Sequence, residues 1–141
     1  MRLADLGKAL AGLFGTGAEE VVLAEGAADE LCHFAREVAP KEFMAVLKGG
    51  VRGKELRITE LVFQPFVNTV SSSSMSMDLP LMSGSVGTAH SHPSGSNRPS
   101  RQDLRLFAKM GGVHLIIGSP YRRENIACYL SDGTRVEFSV G

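Results

Sequence analysis

His90, Ser91 and His92 form the segment of this chain with the clearest chemical meaning. On a strand, residues i and i+2 project from one face, about 6.5–7 Å apart along the chain. Two imidazoles so placed can converge on one cation. Asp103 follows His92 by eleven positions, and a loop that turned back would bring its carboxylate to the same point. Two neutral imidazoles and one carboxylate suit a divalent zinc ion. Three protein ligands also leave the fourth tetrahedral position for water, which separates a catalytic site from a closed structural one. Two plainer readings stand beside this one. An H-x-H pair can be two surface rings that are merely hydrogen-bonded. Ser100-Arg101-Gln102-Asp103 also fits a helix-starting S-x-x-D, close to a capping box. Capping and metal binding are compatible, and their joint occurrence after H-x-H-P favours the metal.

The elements that must hold these groups follow from the pattern around them. Val86 to His92 reads as a strand, residues 93–99 as a Pro/Ser/Gly loop, and Ser100 to about Met110 as a helix with Leu104, Phe107 and Ala108 inward. Upstream, Val21–Leu23 is a short strand. Residues 28–39 form a helix with Leu31, Phe34, Ala35 and Val38 on one face, which Pro40 ends. Phe43–Leu47 is a buried strand, Gly49–Lys54 a turn, and Leu56–Phe63 a second strand. Downstream, Val113–Ile117, Ile126–Leu130 and Arg135–Val140 are three more, with a hairpin signal at Asp132-Gly133. Residues 67–87 are the least regular stretch, with a short strand about Met75–Met77. The order of elements predicts an α+β domain built around one sheet.

Residues 1–18 read as an amphipathic helical segment, separate from a domain over 19–141. Leu3, Leu6, Leu10 and Leu13 make its apolar stripe, expected to pack on the domain itself or on a second copy in a homodimer. With 141 residues the chain suits one domain and excludes a TIM barrel. Fifteen basic residues cancel fifteen acidic ones, so no global attraction for nucleic acid is expected. No apolar run reaches a membrane span, and Asp5 and Lys8 interrupt any signal-peptide core. Cys32 and Cys128, the two cysteines, form no metal-binding spacing. They read as buried hydrophobes in a reducing cytoplasm. His33 and His114 read as core or boundary histidines.

Other H-x-H chemistries fail on missing residues. A cupin needs Glu shortly after the second His, where Ser96 and Asn97 stand. The deaminase P-C-x-x-C and the protease H-E-x-x-H are absent. The run H-S-H-P-x6-S-x2-D, complete as His90, Ser91, His92, Pro93, Ser100 and Asp103, resembles the JAMM (MPN+) zinc metalloprotease family, in its minimal archaeal or bacterial form. The resemblance extends from about residue 20 to the C-terminus. It implies a three-layer α-β-α fold of cytidine-deaminase type, with a curved mixed sheet flanked by helices. His90, His92 and Asp103 would hold one zinc ion. Glu42, entering the Phe43–Leu47 strand, would be the general base and acid, with Glu60 its nearest rival. Ser100 would stabilise the oxyanion. The implied activity is hydrolysis of the peptide or isopeptide bond after the C-terminal Gly-Gly of ubiquitin-like or sulfur-carrier proteins, the tail pairing with an edge at Ser72–Asp78. A peptidase of cysteine or sulfur metabolism, a DNA-repair-associated relative sharing His92-Pro93-Ser94-Gly95, and a non-catalytic scaffold are the alternatives.

Overall fold

The computed structural model describes residues 18–63 and 84–141. The amphipathic segment 1–18, except its last residue, and the candidate strand and edge between Ser72 and Asp78 lie outside the described residues. The elements are β1 (Glu20–Leu23), α1 (Glu25–Val38), β2 (Met44–Arg52), β3 (Glu55–Phe63), β4 (Ser85–His92), α2 (Arg101–Met110), β5 (Val113–Gly118), a 3-10 turn (Arg123–Asn125), β6 (Ile126–Leu130), β7 (Arg135–Val136) and β8 (Ser139–Val140). The strands form one sheet in the order β7-β6-β5-β4-β2-β3-β1-β8. β1 runs parallel to β3 and β8, β4 runs parallel to β5, and the other pairs are antiparallel. The fold is therefore the expected α+β class with a mixed sheet.

Two strand boundaries differ from the sequence reading. β2 does not stop before Gly49; it pairs through to Arg52, across a register shift between Lys48 and Gly49. A side chain at Gly49 would run into the Arg57 carbonyl, so glycine there permits close strand approach rather than a turn. The reversal is the tight Gly53-Lys54 corner, with Gly53 at φ +61°. Arg135–Val140 is likewise not one strand. Val136 ends the pairing with β6, and Ser139 begins the pairing with β1 at the opposite edge. Laid flat, eight strands would put those edges about 34 Å apart, from seven spacings of ~4.8 Å. Three residues of extended chain span at most ~11 Å. The sheet must therefore curl until its two edges nearly meet.

Strict alternation along β5 and β6 divides the interior in two. Val113, Leu115, Ile117, Ile126, Cys128 and Leu130 face α1, where Ala27, Ala28, Leu31, Cys32 and Ala35 join them in the main core. His114, Ile116, Ala127 and Tyr129 face α2, which contributes Phe107. α1 starts at Glu25, three residues before the expected point, and Pro40 stands two residues past its end. In α2, Leu106 and Phe107 are buried, whereas Leu104 and Ala108, expected inward, are exposed. Cys32 and Cys128 are free and buried, as expected for packing residues. Burial pushes the Cys128 thiol up to about 12, which keeps it protonated and inert.

Candidate metal centre

β4 carries the centre. Thr88, His90 and His92 share the face toward α2, and the register pairs His90 with Met44 on β2 and Ile116 on β5. Hydrogen bonding on both edges gives this strand its rigidity. α2 brings the third group. Ser100 caps the helix: its Oγ accepts from the Asp103 N–H at 3.1 Å, and Asp103 Oδ2 accepts from the Ser100 N–H at 2.8 Å. The capping box thus aims the Asp103 carboxylate back toward β4. Oδ1 lies 3.1 Å from His90 Nε2, and Oδ2 lies 3.1 Å from His92 Nε2. One donor atom from each residue fits within a 4.8 Å cluster, the only such group among the described residues.

The electrostatics fit a cation site. Burial alone would raise the Asp103 pKa, but the two imidazoles and the Ser100 N–H outweigh it. They hold the carboxyl well below its usual range. For His92, burial lowers the pKa, and the Asp103 contact, the Ser96 carbonyl and the charge of Glu42 more than reverse that. His90 is the telling group. Both ring nitrogens are buried, and neither makes a well-aligned hydrogen bond to any described residue, despite the nearby carboxylate. A buried polar atom without a partner costs free energy, on the order of 1–3 kcal/mol. A ligand on Nε2 would remove that cost at one atom. The donor set, two imidazole nitrogens and one carboxylate, is one that zinc accepts.

The other expected residues can now be placed. Glu42 is exposed, two residues before the start of β2. The β2–β4 register pairs Met44 with His90, and the Ser91 N–H donates to the Phe43 carbonyl. Carried one residue further, that register sets Glu42 across from His92. Ser91 locks the junction, since its Oγ accepts from the Phe43 N–H at 3.1 Å. Glu60, the rival, is exposed on β3 opposite Lys48, a strand beyond β2. Ser100 is exposed beside Asp103. His114 is fully buried, with Nδ1 2.7 Å from the Thr88 hydroxyl and its ring stacked on Phe107 at 4.2 Å. Burial pushes its pKa down to about 3, with the Gly111 backbone opposing and His90 assisting. His33 does not belong to the core: it sits on the solvent face of α1, 4.0 Å from Glu37. The helix period that buries Leu31 and Ala35 turns it outward.

Residues 24–130 match the family described as prokaryotic homologues of the JAB domain. The chain belongs to that family. A relative from Haloferax volcanii named a probable metalloprotease is 39% identical over 113 residues, covering 73% of this chain and 68% of that one. A JAB1/MPN domain protein of known structure from Archaeoglobus fulgidus is 35% identical with a TM-score of 0.65, covering 84% of this chain and 96% of that one. A structure described as a metalloprotease-like zinc site in the proteasome and signalosome is 31% identical with a TM-score of 0.67, covering 86% and 98%. A protein from Desulfitobacterium hafniense, 21% identical with a TM-score of 0.58 over 86% and 92%, shares the fold. The curled mixed sheet between two helices is thus the JAB1/MPN architecture, and the JAB family to which this chain belongs includes a metalloprotease-like zinc site. No described helix of this JAB domain is long and apolar enough to cross a membrane.

Proposed function

We propose that this JAB domain is a zinc-dependent peptidase or isopeptidase that cleaves the amide after the C-terminal Gly-Gly of a ubiquitin-like or sulfur-carrier protein. The observation that carries this reading is the His90–His92–Asp103 donor set, with His90 buried, and Glu42 across from His92 when the β2–β4 register is carried past Met44. Zinc held by those three residues would supply Lewis acidity, which at such sites brings the pKa of water to about 7. Asp103 balances part of the ion's charge, and its capping bonds to Ser100 keep both carboxylate oxygens oriented. Glu42, with an exposed carboxylate at the mouth, takes the proton of the attacking water and returns it to the leaving amine. That return matters because an unprotonated amine leaves poorly. The Ser100 oxygen already accepts from the Asp103 N–H, so its own O–H is the group left to donate to the developing oxyanion. Glu42 and Ser100 are exposed while His90 is buried, and a slim, extended Gly-Gly tail suits access to such a centre.

The experiment is incubation of the zinc-loaded chain with ubiquitin-like and sulfur-carrier conjugates, with and without chelator, followed by mass spectrometry of the products. The expected product ends in a free Gly-Gly carboxylate, and chelator abolishes it. Glu42→Gln should retain zinc yet lose at least ~100-fold in rate. Zinc-loaded protein that leaves every conjugate intact would refute the substrate assignment. Protein that takes up no zinc would refute the centre itself.

A further inference from the structure

Of the two imidazoles, one has its tautomer fixed by a hydrogen bond. His92 Nδ1 lies 3.1 Å from the Ser96 carbonyl, so it carries the proton and leaves the Nε2 lone pair toward Asp103. His90 Nδ1 has no such partner among the described residues. Among the two rings, hydrogen-bonded orientation therefore rests on one loop carbonyl, and that loop is rich in Ser, Gly and Pro, with its Pro93–Ser96 part exposed. A segment of this composition has little conformational preference of its own and needs external restraint.

The restraint is present. The Tyr129 hydroxyl donates to the Asn97 carbonyl at 2.7 Å, and the Asn97 side-chain amide donates to the Asn125 carbonyl at 3.0 Å. Residue 97, immediately after Ser96, is thus held at both its main chain and its side chain. Ser119 N–H donates to the Ser94 carbonyl at 2.9 Å on the other side. A side chain at Gly118 would stand 3.1 Å from the carbonyls of Gly95 and Ser96, so the loop lies pressed against the end of β5. Tyr129 is itself buried on β6, with its ring 6.1 Å from that of Phe107.

We propose that Asn97 and Tyr129 are positioning residues of the metal centre, a strap from β6 that holds the Ser96 carbonyl on His92 Nδ1. The strap acts through His92 and touches neither metal nor substrate. The proposal rests on the zinc reading of the centre and adds to it where the ligand geometry comes from. In metal sites generally, loss of the group that orients a ligating histidine weakens metal binding by about 10–100-fold.

The test is zinc affinity by chelator competition on the full chain, paired with thermal melts of the metal-free protein. Wild type measured alone reports on the centre: failure to bind zinc there sinks the site reading, whatever the variants do. Given tight binding, Asn97→Ala and Tyr129→Phe should each weaken zinc about tenfold, at the low end of that range because they act one contact further out. Their metal-free melting should stay near wild type, and the double variant should lose little more than either single one, because both cut the same strap. Arg98→Ala, on the same loop but outside the strap, should bind as wild type. Tyr129→Phe removes only a hydroxyl, so it decides the matter if Asn97→Ala fails to fold. Zinc affinity within twofold of wild type in Tyr129→Phe would overturn the strap. So would a loss matched by an equal fall in metal-free stability, which would make the residue merely structural.

Discussion

The two faces of the sheet are built from different materials. Toward α1 the interior is apolar, from Ala18 and Val21 through Leu31, Leu47, Ile58 and Leu115 to Val136. Toward α2 the apolar cluster among the described residues is Phe107, Ile116, Ala127 and Tyr129, with buried Met44 and Val46 in register with His90 and Thr88; three of the four buried polar residues described, Thr88, His90 and His114, stand on this face. One face is a conventional core whose contribution scales with area removed from water. The other is a thin layer that orients polar groups, with Phe107 as its hub: its ring lies 4.2 Å from that of His114, 6.1 Å from Tyr129 and 6.2 Å from His90. The difference teaches that stability and chemistry are assigned to opposite sides of the same strands.

The sharpest break of that contrast removes a ligand. His90→Ala should abolish zinc binding and all peptidase activity while leaving the α1 face folded, checked by metal analysis and circular dichroism. Next in size are paired core truncations. Phe107→Ala and Leu31→Ala should each cost about 2–5 kcal/mol in denaturant melts. Only Phe107→Ala should also weaken zinc, because only its face holds the centre; equal effects on zinc would erase the distinction. A smaller effect concerns pH. His114 is held neutral in the fold down to about 3, whereas in the unfolded chain it takes up a proton near 6.5. The unfolded state then binds more protons, so stability falls as pH drops from about 6.5 toward 3. Melts of metal-free protein across that window should show a shallower decline in His114→Phe than in wild type. The smallest effect is on the α1 surface. Arg123 pairs with Glu25 and Asp29 across exposed side chains, and Arg123→Ala should leave the thermal midpoint unchanged within error.

The centre was unusually legible in the sequence because its ligands obey local rules. His90 and His92 share a face through strand periodicity alone, and Asp103 follows from a capping box written in Ser100 and Asp103. Most strands were legible for the same reason. What misled was local ambiguity. Gly49-Gly50 reads as a turn because glycine permits one, yet only the facing Arg57 carbonyl shows that glycine here serves a close strand approach. In α2 two apolar stripes lie one position apart, and the pattern alone favours Leu104 where the fold buries Leu106. His33 and His114 look alike in a one-dimensional pattern, and only the faces chosen by α1 and β5 separate a solvent histidine from a buried one.

By itself, the chain determined which groups could meet a cation, since residue type and spacing along one strand and one helix start are local properties. Only tertiary structure decided how those groups are held. The β2–β4 register, which pairs Met44 with His90 and, carried past the strand, sets Glu42 across from His92, joins residues nearly fifty positions apart. The bond from Tyr129 to Asn97 spans 32 positions, and the pairing of β8 with β1, from Ser139 to Val22, spans 117. Contacts between distant positions leave no periodic trace in a sequence, because many pairings satisfy the same hydrophobic pattern and only simultaneous packing of the whole sheet selects one.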